Sequence, residues 1–142
     1  MGATVRDARP KDSAGIAHLL GQLGYPTAAD AVTERTRRLL AAGDRLVVAE
    51  LDGRVVGLAR LHVSASLEYE TPGGQLAALV VDEHHRGSGI GRALVEAMEA
   101  EARARRCGAF FLTTAEHRAD AHAFYERLGL ERTGRRYAKL LS

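Results

Sequence analysis

A short run of glycines and arginines is the segment of this sequence best suited to chemistry. It reads RGSGIGR over Arg86–Arg92 and lies between an apolar run and an amphipathic one. A helix that begins here presents unpaired backbone N–H groups and a partial positive charge, and glycines leave room for an anion to approach them. Arginine side chains at both ends add donors that suit phosphate. The segment therefore predicts a cradle for a pyrophosphate.

Two common phosphate-binding motifs do not fit this segment. The dinucleotide fingerprint G-x-G-x-x-G needs glycine where Arg92 stands, and a Walker A loop needs Gly-Lys-Ser/Thr where Gly91-Arg92-Ala93 stands. The pattern that remains is R-x-x-G-x-G over Arg86–Gly91. The alternative interpretation is structural, with glycines that only make a tight turn from a strand into a helix.

Hydrophobic periodicity predicts the elements that position this segment. Gln75–Asp82 is mostly apolar and predicts a central strand, and apolar residues at helical spacing from Ile90 to Ala102 predict a long helix. With the strand Ala109–Thr114 they make a β-α-β unit. Before this unit we expect a strand at Ala3–Ala8, helices that begin near Asp12 and Thr27, and a hairpin of Arg45–Leu51 and Val55–Val63. After it we expect a helix carrying Phe124 and Tyr125 and a C-terminal strand or two through Leu141. The order β-α-α-β-β-β-α-β-α-β predicts a mixed α/β (α+β) fold, a central mixed sheet flanked by helices.

Length and composition exclude several classes of protein. The 142 residues, 46% hydrophobic and 27% charged, predict a single globular domain over residues 1–142. No apolar run is long enough to span a membrane and no signal peptide is evident, so we expect a cytoplasmic protein with no membrane partner. A net charge of +2 does not favour nucleic-acid binding. The single Cys107 and the spacing of the histidines predict no disulfide and no metal site.

The sequence resembles the GNAT superfamily of acetyl-CoA-dependent N-acetyltransferases. The resemblance rests on VRDARPKDSAGIAHLLGQLGYP, the Asp52-Gly53 hairpin, ALVVDEHHRGSGIGRALVEAMEAEA and AHAFYERLGLERTG, which together span nearly the whole chain. It implies acetyl-CoA as co-substrate and a splayed pair of strands that admits its pantetheine arm. The cofactor-binding residues that it implies are Leu79, Val80, Val81, Arg86, Gly87, Ser88, Gly89, Ile90, Gly91, Arg92 and Tyr125.

The resemblance also implies a mechanism. An amine attacks the thioester directly through a tetrahedral intermediate, one backbone N–H of Leu79–Val81 polarises the carbonyl, and Tyr125 protonates the departing thiolate. The family often places a basic carboxylate on the central strand, but Gln75 holds that place here. We therefore expect a water relay with a contribution from Glu70, with Glu68 and His84 as alternatives. His117 or Arg118 would replace the asparagine that many relatives carry before the last helix.

The acceptor is expected to be the primary amine of a small molecule. Its expected contacts are Tyr25, Glu68, Tyr69 and Glu70, because two carboxylates suit a cationic amine. Three alternatives stay open: a non-catalytic acyl-CoA-binding sensor, an N-acetyltransferase of proteins or peptides, and a structural partner protein whose cradle is unused. A homodimer formed through the C-terminal strands is a further possibility that the resemblance implies.

Overall fold

A computed structural model of the chain describes residues 2–113 and 119–141. In that part the elements are β1 (Thr4–Asp7), α1 (Ser13–Leu23), α2 (Ala29–Ala41), β2 (Arg45–Leu51), β3 (Arg54–Ser64), β4 (Gly73–Val81), α3 (Ile90–Ala104), β5 (Ala109–Phe111) and α4 (Ala119–Arg127). The strands form one sheet in the order β1-β2-β3-β4-β5. Neighbours are antiparallel except β4 and β5, which are parallel. The mixed α/β fold is confirmed.

An apolar core lies on each face of the sheet. One core joins strand residues to α3, and its buried members are Val47, Ala49, Val56, Ala59, Leu61, Leu76, Ile90, Leu94, Val95, Met98 and Ala102. The other lies under α1 and α2 and contains Ile16, Leu19, Val32, Leu46, Val48, Leu58 and Val80. Each fully buried aliphatic side chain contributes about 1.5–3 kcal/mol, so both helical layers are held mainly by apolar burial. We refer below to the α3 face and the α1–α2 face.

The Asp52-Gly53 turn has the structure that the sequence predicts. Asp52 and Gly53 both have positive φ, 52° and 76°, which is the geometry of a two-residue hairpin turn between β2 and β3.

Gly57 in β3 allows α3 to approach the sheet. A Cβ atom there would lie 2.8 Å from Leu94 Cδ1 and 3.1 Å from Ile90 Cγ2. The first turn of α3 therefore rests directly on the β3 backbone.

The end of the chain differs from the sequence prediction. Residues 130–141 form no strand, and Tyr137, Leu140 and Leu141 are at least 90% exposed. A strand needs a neighbour to pair with, and β5 is paired with β4 over only three residues. The tail also carries many charged side chains, so it has no apolar face to bury. The predicted last strand has no counterpart in the described tail, and the homodimer stays a prediction.

Some of the predicted residues between β5 and α4 lie outside the part of the chain that the structure describes. The predicted strand Ala109–Thr114 ends at Phe111 in the structure, while Thr114, His117 and Arg118 lie outside the described residues.

Within the described ranges, no helix has the length and apolar character needed to cross a bilayer.

Candidate functional site

The loop between β4 and α3 has the backbone conformation that its glycines permit. Gly87 and Gly89 have φ of 80° and 87°, which is strained for any residue with a side chain. No side chain caps α3, and the first backbone bond of the helix runs from Ala93 N to Gly89 O, 3.1 Å. The N–H groups at the start of α3 therefore have no helical acceptors and follow a turn in which Gly87 and Gly89 carry no side chain. This geometry suits an anion.

Gly91 is small for a different reason, which is packing. A Cβ atom at this position would lie 3.2 Å from Phe124 Cζ and 3.5 Å from Val81 Cγ2. The first turn of α3 thus contacts both α4 and the end of β4. Tyr125 follows Phe124, is partly buried against the α3-face core, and its ring packs edge-on to Phe124 with centroids 5.3 Å apart. The candidate proton donor therefore lies on a helix that packs against the anion loop.

A hydrogen-bond network joins α1 to the same loop. Gln22 donates from Nε2 to Asp82 Oδ1, 2.7 Å, and accepts from the Glu83 backbone N–H, 3.0 Å. The other Asp82 oxygen is 2.6 Å from His85 Nδ1, and Ser88 Oγ donates to the His85 carbonyl. The donation from Gln22, followed by that from His85, lowers the pKa of Asp82. The carboxylate of Asp82 therefore ties the end of α1 to the loop.

The two arginines of the motif have different surroundings. Arg92 pairs with Glu96 on the surface of α3, with 2.8 Å between Nε and Oε1. Arg86 is exposed and makes no side-chain hydrogen bond or ion pair within the described ranges. Arg86 is therefore the arginine whose guanidinium remains available to a ligand.

Strands β4 and β5 part after three paired residues. Their pairs are Gly73 with Ala109, Gly74 with Phe110, and Gln75 with Phe111. Beyond Gln75 the outer edge of β4 has no strand partner among the residues that the structure describes. The predicted continuation of β5 to Thr114 lies partly outside the described residues, so the splayed pair that the resemblance implies stays a prediction.

Backbone alternation decides which residues offer their polar groups to this open edge. In an antiparallel pair, the backbone N–H and C=O of every second residue point to the partner strand. The Asp82 N–H donates to Val56 O in β3, 2.8 Å, so Asp82 is one of the residues whose backbone groups point to β3. Val80 therefore also directs its N–H and C=O to β3, and its side chain is buried in the α1–α2 core. Leu79 and Val81 direct theirs to the open edge. Of the three predicted pantetheine contacts, these two have free backbone groups.

The residues predicted to contact the acceptor lie in two groups, near opposite ends of β4. Glu68, Tyr69 and Glu70 are exposed in the loop before Gly73, where the Tyr69 N–H donates to Ser66 Oγ. Tyr25 is 65% exposed and follows α1, which contacts the other end of β4 through Gln22. The structure places no hydrogen bond or ion pair between these two groups.

Sequence reasoning missed one cluster beside Gln75. His62 lies directly opposite Gln75 in the pairing of β3 with β4. Its Nδ1 is 2.7 Å from Asp44 Oδ1, and Arg60 binds the other Asp44 oxygen at 2.6 Å. The alternation of Arg60 and His62 with apolar residues in β3 indicates two polar side chains on one face. The sequence offers no signal for Asp44 as their partner.

Among residues 2–113 and 119–141, no three His, Cys, Asp or Glu side chains cluster in a way that could hold a metal ion.

Comparison with known proteins identifies relatives over most of the chain. Residues 17–130 match the family described as the acetyltransferase (GNAT) family. The aminoglycoside N(6')-acetyltransferase type 1 of Stenotrophomonas maltophilia is 34% identical over 137 residues, 93% of this chain and 88% of that protein. The aminoalkylphosphonate N-acetyltransferase of Salmonella typhimurium is 37% identical over 90 residues, 63% of this chain and 58% of that protein. A Trypanosoma brucei acetyltransferase structure has a TM-score of 0.87 at 25% identity, covering 98% of this chain and 99% of the other.

Proposed function

Because the chain belongs to the GNAT family of acetyltransferases, we propose that it transfers the acetyl group of acetyl-CoA to the primary amine of a small molecule. One observation carries the proposal: β4 and β5 part at Gln75, and the open edge of β4 leads to the uncapped start of α3. The similarity to enzymes named for aminoglycosides and aminoalkylphosphonates supports a small amine as acceptor.

The chain's own groups suit each part of acetyl-CoA. The N–H groups of Gly87–Gly91 and the guanidinium of Arg86 would bind the pyrophosphate, since Gly87 and Gly89 have no side chain to exclude it and the Ser88 hydroxyl is turned to the His85 carbonyl. The open-edge backbone groups of Leu79 and Val81 would pair with the pantetheine amides as an added strand does. One of these N–H groups would then point at the thioester carbonyl and stabilise negative charge on its oxygen.

The bound thioester supplies an acetyl group activated for attack by an amine. Tyr125 would donate its phenolic proton to the sulfur as the C–S bond breaks, because a thiolate in a site without water is basic enough to accept it. The single Cys107 follows the C-terminal end of α3 and packs against the α3-face core, so the attack that we propose is direct, without an acyl-enzyme. Glu70, through water, is the base that the sequence favours.

Ligand-induced stabilisation tests the first step. Thermal unfolding is measured alone and with saturating acetyl-CoA, NAD or ATP. A ligand at 100 times its dissociation constant adds about 2.7 kcal/mol, which raises Tm by several degrees in a domain of this size. Only acetyl-CoA is expected to do so, and no shift with it would exclude the proposal.

Transfer is then measured as free thiol release and as acetylated product by mass spectrometry. The acceptors are kanamycin, 2-aminoethylphosphonate, spermidine and a lysine peptide, with buffer alone as the blank. Transfer to the small amines in preference to the peptide is expected. Binding without transfer to any acceptor would favour the acyl-CoA-binding sensor instead.

A further inference from the structure

Asp44 is a buried carboxylate that holds two side chains of β3. Its side chain is 2% exposed, and its own backbone N–H is fixed by a 3.0 Å bond to Leu39 O. His62 Nδ1 and an Arg60 guanidinium nitrogen contact its two oxygens at 2.7 and 2.6 Å. Each oxygen of the carboxylate therefore has a partner in β3, and the two contacts together fix its orientation.

This contact fixes which nitrogen of His62 can react. A carboxylate only accepts hydrogen bonds, so Nδ1 carries the hydrogen and donates it to Asp44. In the neutral ring, Nε2 then has the free lone pair. The His62 side chain is 41% exposed while its partner is buried, so the exposed edge of the ring is the one that carries Nε2. The arrangement is that of an oriented general base.

The sheet register places this base where the strands part. His62 is paired with Gln75, so the two side chains project from the same face as cross-strand neighbours. The flanking Leu61 and Leu76 project into the α3-face core, so His62 and Gln75 lie on the α1–α2 face. Gln75 is also the last β4 residue paired with β5. The ring of His62 is thus one strand away from the point where the edge of β4 opens.

We propose that His62 is the general base of the transfer reaction and that Asp44 is its positioning residue. This inference rests on the proposed function, and it replaces Glu70, which lies in an exposed loop, as the acceptor of the proton. Gln75 cannot take a proton itself, but its amide can hold the amine beside His62.

Protons and electrons balance through the chain's own groups. The acceptor ammonium gives one proton to His62 Nε2, and the freed lone pair forms the N–C bond at the thioester carbonyl carbon. The C–S bond breaks with its electron pair on sulfur, which takes the proton of Tyr125. The nitrogen loses its second excess proton, which restores Tyr125 through water, and His62 releases its proton to solvent. The products are the amide, the free thiol and one proton.

Three single variants test the proposal in the full chain: His62→Ala, His62→Gln and Asp44→Asn. His62→Gln keeps an N–H donor for Asp44 but has no basic nitrogen, so it separates chemistry from stability. We expect both His62 variants to bind acetyl-CoA as the wild type does and to lose about 10²-fold in kcat/KM toward kanamycin or 2-aminoethylphosphonate. Asp44→Asn is expected to lose less, because His62 remains but is no longer fixed.

Added imidazole separates catalysis from structure. Free imidazole is expected to restore transfer by His62→Ala in proportion to its concentration and to leave the wild type unchanged. Glu70→Gln is expected to keep a larger share of the wild-type kcat/KM than either His62 variant does. Full activity in His62→Gln, a loss in His62→Ala that imidazole does not restore, or a loss in Glu70→Gln alone would each overturn the role of His62. If the wild type transfers acetyl groups, any of these three results overturns the role of His62 and leaves the proposed function standing. If the wild type transfers to none of the acceptors, the role of His62 and the proposed function are both overturned.

Discussion

Gly91 in the first turn of α3 and Phe124 in α4 are packed so closely that a Cβ atom on Gly91 would lie 3.2 Å from Phe124 Cζ. This contact sets the distance between the anion loop and the helix that carries Tyr125. A side chain at position 91 must push Phe124, and Tyr125 with it, away from α3.

Gly91→Ala is therefore expected to weaken acetyl-CoA binding. The measurement is the rise in Tm on adding saturating acetyl-CoA, which should be smaller than in the wild type. Gly21→Ala is the matched control, because position 21 lies in α1 with no atom within 4 Å of the added Cβ. The control should gain up to about 1 kcal/mol in stability from helix propensity and keep the full acetyl-CoA shift. An undiminished shift in Gly91→Ala would show that α4 does not position the site.

Gly57→Ala is expected to lower the free energy of unfolding by about 1–3 kcal/mol, the usual cost of overpacking a core. The added Cβ would lie 2.8 Å from Leu94 Cδ1, and Leu94 is fully buried. Urea unfolding measures the change. Gly134→Ala, at a position with nothing within 4 Å, is the control and should be neutral. Equal stability of the two variants would mean that α3 can shift on the sheet at no cost.

Tyr125→Phe is expected to lower kcat by about 10²-fold while acetyl-CoA binding stays the same. The substitution removes only the hydroxyl, so the edge-on packing against Phe124 is retained. Initial rates of thiol release and the acetyl-CoA thermal shift are compared with the wild type. Unchanged turnover would reduce Tyr125 to a packing residue.

Gln22→Leu is expected to loosen the anion loop from α1. It removes the donor to Asp82 and the acceptor for the Glu83 N–H, at a cost of about 1–3 kcal/mol in stability for polar groups left unpaired. The KM for acetyl-CoA should rise more than the KM for the amine, because the loop that holds the pyrophosphate is affected. A rise confined to the amine would instead place Gln22 at the acceptor side.

Acid should destabilise the fold through Asp12. The pKa of this buried carboxyl is lowered mainly by two hydrogen bonds from the Arg6 guanidinium. A hydrogen bond from the Arg9 backbone N–H lowers it further. A carboxyl whose pKa is lower in the folded chain stabilises the fold fully above its unfolded value of about 3.9. This stabilisation is lost as the pH falls from the pKa of the unfolded chain through the lower pKa of the folded chain.

The urea midpoint of the wild type is therefore expected to fall steeply below about pH 4. Asp12→Asn should be less stable at pH 7 by about 1–3 kcal/mol and should lose less on acidification. Asp52→Asn, at an exposed turn position, is the control and should follow the wild type. A parallel acid loss in Asp12→Asn and the wild type would exclude Asp12 as a source of the acid sensitivity.

The sequence by itself determined the features that depend on neighbours along the chain. The glycines of Arg86–Arg92 indicated a turn with positive φ before α3, and the structure has it at Gly87 and Gly89. Asp52-Gly53 indicated the hairpin, and apolar spacing indicated each helix. These signals are local because backbone conformation and the buried face of an element are set within a few residues.

Only the tertiary structure decided which distant residues meet. Asp44 and His62, or Gln22 and Asp82, come together through strand register and helix packing, which no local pattern encodes. A bulge leaves Ala77 unpaired between Leu76 and Ala78, so that Leu76 faces α3 while Gln75 faces the other side beside His62. The predicted last strand failed for a related reason, since a strand forms only where a neighbouring strand can pair with it. A one-residue change of register reverses every side chain of a strand, so contacts across the sheet are decided by the fold as a whole.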